Sequence, residues 1–273
     1  MRPVVLDILD VLIPLAVGLA FFFGGRMFWR LPLLLRTLLV ASAVGIVVIG
    51  ALTLGHLTPP EFGFWVSRVG GATVLLALVA QFLIGIVWDT TGRSFSAHFL
   101  AAIVFISCCL IAVESSGRLW FRYRETELFD RYPDERGFLQ QSSGASCSPT
   151  AASMLLHRYD IRSSEGEMAY LAGTSLFGTD APSIARALER KLAGQNWHAV
   201  FRHVDYDEST RLGGPFIAHV KGSTSGHALL IEHALPDHVQ IVDPADGKRT
   251  WMLRADFLRI WDGTAIYLVR NAS

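Results

Sequence analysis

The sequence predicts a two-part chain: four transmembrane helices over residues 1–116, then an α+β domain over residues 138–273, joined by an interfacial connector at 117–137. Three observations carry that expectation. Charge is divided unevenly: residues 1–114 hold 6 Arg, no Lys and 5 acidic residues, and the rest of the 24 basic and 24 acidic residues follow. Apolar runs of membrane-crossing length recur in the first part. In the second part, helix-like segments come first and strand-like segments afterwards, the order of an α+β domain. The mean hydropathy of +0.38 therefore averages a very apolar half with an ordinary globular one.

The apolar runs are roughly 11–25 (extending back towards Val4), 31–57, 64–88 and 95–113. Each approaches the ~20 residues a helix needs to cross the hydrocarbon core. The breaks between them carry charge, Pro or Gly, at Arg26 to Arg30, Thr58-Pro59-Pro60-Glu61 and Asp89 to Arg93. The first run follows a short basic start, as a signal peptide does, but it lacks a small-residue cleavage site before Arg26 and three more runs follow. It reads as a retained helix. Asp7 and Asp10 lie at the start of the first run, and Arg36 and Arg68 lie near helix ends where they can snorkel. No charge falls at mid-membrane, so this half reads as an anchor or docking surface in a lipid membrane, not as a conduit. On a four-span reading, Arg2, Arg68, Arg118, Arg122 and Arg124 face one side and Arg26, Arg30, Arg36 and Arg93 the other. That division leaves the orientation open by the positive-inside rule.

The connector is amphipathic and charged, with aromatic residues over 121–132 that suit a membrane interface. In the domain, helices are expected at roughly 149–159, 164–172 and 181–192, and strands at 215–220, 227–235, 238–242 and 265–269. The balanced charge, with no basic stripe or RNA-binding motif, points away from a nucleic-acid partner. No Cys/His cluster has metal-ligand spacing, and neither a metal nor a cofactor is expected. Cys108 and Cys109 sit in an apolar run and read as small hydrophobes, whereas Cys147 stands alone in the charged half.

Cys147 opens a helix. Ser146 can cap that helix, and Pro149 suits its first turn. A thiol there meets the positive end of the helix dipole and free backbone N–H groups, which favour thiolate. Gln141, six residues earlier, can bring its side-chain amide to the same point as the Cys147 N–H, and two converging donors make an oxyanion hole. Gly226-His227 starts a buried strand, the glycine leaving room for a substrate. Val242-Asp243-Pro244 ends the next strand. If the two strands pair through the Leu235-Pro236-Asp237 turn, Asp243 returns beside His227 and can orient its ring. His157, His198, His203, His219, His233 and His238 read as surface or strand residues, and Gly173-Thr174 and Gly178-Thr179 as loop punctuation around a possible substrate groove.

The order Gln141, Cys147, His227, Asp243, with PFIAHV, GHALLI and VQIVDPADG around the last two, resembles the double-glycine leader peptidases. These are papain-like cysteine peptidase domains that cut bacteriocin and peptide-pheromone precursors, often fused to ABC transporters. The resemblance covers roughly residue 138 to the C-terminus. It implies that Cys147 is the nucleophile, His227 the base, Asp243 its orienting partner and Gln141 the oxyanion glutamine, and that the substrate is a peptide or protein precursor. In that family Asp commonly precedes the cysteine and Gly follows it; here Ser146 and Ser148 do. No Walker A motif occurs, so a transporter partner is expected in trans. Two other activities fit the residues less well: a non-hydrolytic docking domain, which would ordinarily lack the cysteine or histidine, and a papain-like amidase or acyltransferase. A free thiolate and the habit of the resembling domains point to the cytoplasmic face, whereas the arginine-dense loop after the first run points to the opposite one.

Overall fold

The structure, a computed structural model, describes residues 4–54, 71–88, 95–117, 119–120, 128–175, 178–212, 214–221 and 226–271. The Thr58–Glu61 break, Arg2, Arg68, the charged Asp89 and Arg93, and the connector residues Arg118, Arg122, Arg124, Glu125 and Glu127 lie outside them. So do residues 64–70 of the third apolar run and 121–127 of the aromatic stretch. The described residues separate into two units, one reaching Leu119 and the other starting at Trp120.

In the first unit the apolar runs form α1 (Val4–Arg26), α2 (Leu33–Leu54), α3 (Gly71–Trp88) and α4 (Phe95–Ser115). By length and composition, α1 is the one helix among the described residues long and apolar enough to cross a membrane. Glycine decides how α1 meets α3. A Cβ on Gly25 would stand 2.1 Å from the Phe82 carbonyl oxygen, and one on Gly85 would stand 2.1 Å from that of Phe22, so the backbones touch there. Polar groups turn inward. Gln81 is fully buried and donates from Nε2 to Ser107 Oγ (2.8 Å) and Cys108 Sγ (3.2 Å). Large apolar side chains turn outward, among them Val5, Leu33, Leu34, Phe99 and Phe105. Arg36 folds back over the turn before α2, donating to the Leu31 carbonyl (2.7 Å) and the Trp29 carbonyl (2.5 Å).

In the second unit α5 (Cys147–His157), α6 (Glu165–Ala172) and α7 (Ala181–Leu192) precede all six strands of the sheet. The second and third begin at side-chain caps. Ser164 accepts the Glu167 N–H at the start of α6, and Asp180 accepts the Ser183 N–H at the start of α7. Gly173, left-handed at φ 71°, closes α6. The remaining elements are β1 (Trp197–His203), α8 (Tyr206–Leu212), β2 (Phe216–Lys221), β3 (Gly226–Ala234), β4 (His238–Asp243), β5 (Lys248–Leu253), α9 (Arg254–Ile260) and β6 (Trp261–Arg270). The strands form one antiparallel sheet in the order β1-β6-β2-β3-β4-β5.

Alternation along the strands builds two cores. Ile217, Ala228, Leu230, Val242, Ile266 and Leu268 face α5, α6 and α7. Their neighbours Phe216, Ala218, Leu229, Ile231, Ile241 and Ala265 face the other side, where Tyr206 of α8 and Phe257 of α9 cover them. Two strands and two helices exceed the expected set: β1, β5, α8 and α9. The helix expected from Pro149 begins two residues earlier, at Cys147.

Candidate active site

Cys147 is the first residue of α5 and is 8% exposed. The helix start is built differently from the sequence expectation. Ser146 occupies the cap position, but its hydroxyl makes no cap bond to the helix. It donates to the Ser143 carbonyl (3.0 Å) and accepts the Ser143 N–H (3.1 Å), so it closes the turn just before Cys147. Ser148 donates to the Thr179 carbonyl (3.1 Å) and ties the helix start to the loop before α7. In that loop Thr174 and Thr179 share a hydroxyl hydrogen bond of 2.5 Å, and Ser175 bridges to Gly178. The two serines that depart from the family pattern thus each hold one flank of Cys147.

His227 is the second residue of β3, and Asp243 is the last of β4. The strands pair antiparallel with Leu230 opposite Val242, which returns Asp243 to the start of β3. His227 Nε2 and Asp243 Oδ1 are 2.7 Å apart. Oδ1 also accepts the Ala245 N–H at 2.8 Å, which orients the carboxylate. With Nε2 engaged, Nδ1 is the ring nitrogen left for the Cys147 thiol, and the imidazole lies close enough to lower that thiol. Gly226 beside it is exposed, and a Cβ there would meet nothing closer than 4.0 Å.

The electrostatics follow from these contacts. Burial pushes the Cys147 thiol up. The hydrogen bond to His227, the Ala228 N–H, the charge of the imidazolium and the Ser148 hydroxyl together outweigh burial and leave the thiol below its ordinary value. His227 is raised to about 10, first by the Asp243 hydrogen bond and then by Cys147, against the opposing effect of burial. Burial also pushes Asp243 up, but its bonds to His227 and Ala245 hold it below the usual carboxylate range. The three shifts act together: each favours the charged form of its group, the Cys147 thiolate, the His227 imidazolium and the Asp243 carboxylate.

Gln141 is placed by its backbone, whose N–H donates to the Pro244 carbonyl (2.7 Å) next to Asp243. Its side-chain nitrogen donates to the Ser143 carbonyl (2.7 Å), which takes one N–H of the amide. Its Oε1 is buried without a hydrogen-bond partner among the described residues. The Ala228 N–H and the Ser148 hydroxyl belong to the Cys147 environment, and the sequence offers no sign of either. One is a backbone group and the other an ordinary helix-start serine. Among the described residues no group of three or more His, Cys, Asp or Glu side chains gathers as a metal ion would need.

An α+β domain with a thiol at a helix start and a histidine on the adjoining sheet defines the class: a cysteine peptidase of papain-like fold. The family model of the peptidase C39 family matches residues 135–273, and the chain belongs to that family. The lactococcin-A transport/processing ATP-binding protein LcnC of Lactococcus lactis subsp. lactis is 30% identical over 141 residues, which are 51% of this chain and 19% of that protein. The match thus spans about a fifth of the lactococcal relatives' length (19% in both). An uncharacterized protein of Methanothermobacter marburgensis is 28% identical over 147 residues, 53% of this chain and 98% of its own. Among solved structures, the peptidase domain of Streptococcus ComA, a bifunctional ABC transporter involved in quorum sensing, is similar at 27% identity and a TM-score of 0.44. That match covers 49% of this chain and 98% of that one.

Proposed function

We propose that the chain is a membrane-anchored peptidase that cuts peptide or protein precursors after a Gly-Gly leader, by a Cys147–His227–Asp243 triad with Gln141 as an oxyanion donor. The observation that carries the reading is geometric: a buried cysteine opens a helix, and His227 of the adjoining strand has its Nε2 2.7 Å from Asp243 Oδ1. Cys147 thiolate attacks the carbonyl of the scissile bond. The Cys147 N–H and the second N–H of Gln141 receive the oxyanion, the first N–H being held by Ser143. His227 gives its proton to the leaving amine as the C–N bond breaks, leaving a thioester. The same ring then takes a proton from the water that hydrolyses the thioester and restores the thiolate.

Residues 1–116 are assigned as the anchor, with α1–α4 as four spans, residues 117–137 as the connector and 138–273 as the peptidase domain. An outward apolar surface with Gln81 turned inward supports lipid as the solvent of α1–α4. The substrate class and a transporter partner are carried over from a relative whose name describes transport and processing, and the partner is placed in trans because this sequence shows no Walker A motif.

Cleavage of a synthetic precursor with a Gly-Gly leader, read by mass spectrometry, tests the reading. The intact chain is expected to cut after the second glycine and Cys147→Ala to give no product. Gln141→Ala is expected to lower kcat by roughly 100- to 1000-fold, as loss of one oxyanion donor does. Undiminished cleavage by Cys147→Ala would overturn the assignment.

A further inference from the structure

We infer that Glu165 and Arg131 are positioning residues for the oxyanion side of the site, acting through the loop Gln140–Ser143. This rests on the reading of Gln141 as the oxyanion side chain. Glu165, the first residue of α6, is 0% exposed. Both of its oxygens are committed to the Gln141 loop or to the arginine that serves it. Oε1 accepts the Ser142 N–H (2.9 Å) and the Ser142 hydroxyl (2.6 Å). Oε2 accepts Arg131 Nε (2.9 Å), and Nη2 of the same guanidinium donates to the Gln140 carbonyl (2.5 Å).

One ion pair therefore grips the carbonyl before Gln141 and the N–H after it. The N–H of Gln141 itself is held from the opposite side by Pro244, and Gln140 Nε2 bonds the Ala245 carbonyl at 3.1 Å. Three successive backbone positions are thus tied, on one side to α6 and on the other to the turn that follows Asp243. A half-buried carboxylate–guanidinium pair adds little net stability, but it sets geometry sharply because both groups are forked.

The Arg131 end is built with equal care. The Arg131 carbonyl accepts the Glu165 N–H (3.0 Å). The next residue, Gly166, lets the chain lie on α6: a Cβ there would stand 2.7 Å from the Leu128 carbonyl carbon. The segment 128–131, which leads into the domain, is thereby latched to the loop that carries Gln141. The hydrogen bonds that hold Cys147, His227 and Asp243 do not pass through Glu165 or Arg131, so the pair can affect the oxyanion side without altering the thiolate.

The test uses the full chain in detergent, a fluorogenic peptide amide ending in Gly-Gly, a peptide aldehyde ending in Gly-Gly, and iodoacetamide. Arg131→Met and Glu165→Gln are each expected to lower kcat by about 100-fold, the cost of an ångström-scale misplacement. KM should stay within about twofold, and inhibition by the aldehyde, which binds as a tetrahedral adduct, should weaken in parallel with kcat. The alkylation rate of Cys147 should not change. In a Gln141→Ala background either substitution should add less than about twofold, because the group they position is gone.

Unchanged kcat in both variants would overturn the inference. So would a joint fall in kcat and alkylation, which would mean a general loss of structure, or a full multiplicative effect in the Gln141→Ala background. Arg131→Met, at a partly exposed side chain, keeps the test open if Glu165→Gln does not fold. If Gln141→Ala alone retains full activity while Cys147→Ala has none, the oxyanion reading itself fails, an outcome distinct from failure of the clamp.

Discussion

Burial opposes ionisation of Cys147, and the groups around the thiol reverse that preference. The balance sets the pH behaviour. Because Cys147 sits below its ordinary value of 9.0, thiolate persists further towards acid than in a free thiol and disappears only when pH falls through the lowered value. Iodoacetamide should therefore alkylate Cys147 at neutral pH faster than it alkylates the unfolded chain, with Cys147→Ala as the blank for Cys108 and Cys109. Equal rates would deny an activated thiol. On the alkaline side His227 keeps its proton up to about 10, so peptide hydrolysis should decline as pH rises through that value and the leaving amine loses its acid. Asp243→Asn removes the largest cause of the raised histidine. The alkaline limb should then move down towards 6.5, and neutral-pH alkylation of Cys147 should slow as the imidazolium that lowers its thiol is lost. A profile that does not move would remove Asp243 from the triad.

At the scale of elements, the sheet holds the site by burying one face under α5. Leu230 of β3 is fully buried in that core, three residues along the strand from His227. Leu230→Ala should cost about 2–5 kcal/mol in denaturant unfolding, within the range for truncating a buried leucine. A cost under about 1 kcal/mol would mean that the core at this position is loose. In the first unit the α1–α3 crossing depends on absent side chains. Gly85→Leu should push the helices apart and lower the melting temperature in detergent, since the new Cβ alone meets the Phe22 carbonyl oxygen. No change in melting temperature would refute close backbone contact.

The elements legible in the sequence were α6, α7 and the apolar central strands β2, β3 and β4. β1 and β5 are edge strands. β1 is partly exposed at nearly every residue and β5 is exposed at most of its own, so neither needs the apolar alternation that marks a half-buried strand. α8 and α9 have 7 residues each, too few for a 3.6-residue period to repeat convincingly.

For the whole molecule, the two-unit division predicts that the peptidase domain is separable. A fragment beginning at Leu128 should be a soluble monomer by light scattering and should keep the neutral-pH alkylation rate of the full chain. A fragment beginning at Tyr132 lacks Arg131 and should keep the alkylation rate while losing turnover. Insolubility of both would mean that the helices complete the fold. The membrane face of the domain is read by fusions after Ser273: a cytoplasmic domain, the side that suits a free thiolate, predicts a glowing fluorescent protein and a silent phosphatase. The reverse pattern would put the enzyme outside.

Local order along the chain dictates much of this. A cysteine at a helix start, Gly-His opening an apolar strand and Asp-Pro closing the next are short-range signals, because caps, strand periods and turns act within a few residues. The apolar character of residues 1–114 is equally local. What only the folded chain decides is pairing across distance. β6 lies between β1 and β2, and nothing near residues 261–270 announces that neighbour. Glu165 reaches Ser142 from 23 residues away, and in the sequence it is an ordinary acidic residue in the first turn of a helix. Ser146 satisfies the turn behind it instead of the helix ahead because the Ser143 N–H and carbonyl lie within its reach. Such partners are selected by the geometry of packed elements, where a buried polar group must take whichever donor or acceptor the fold brings near.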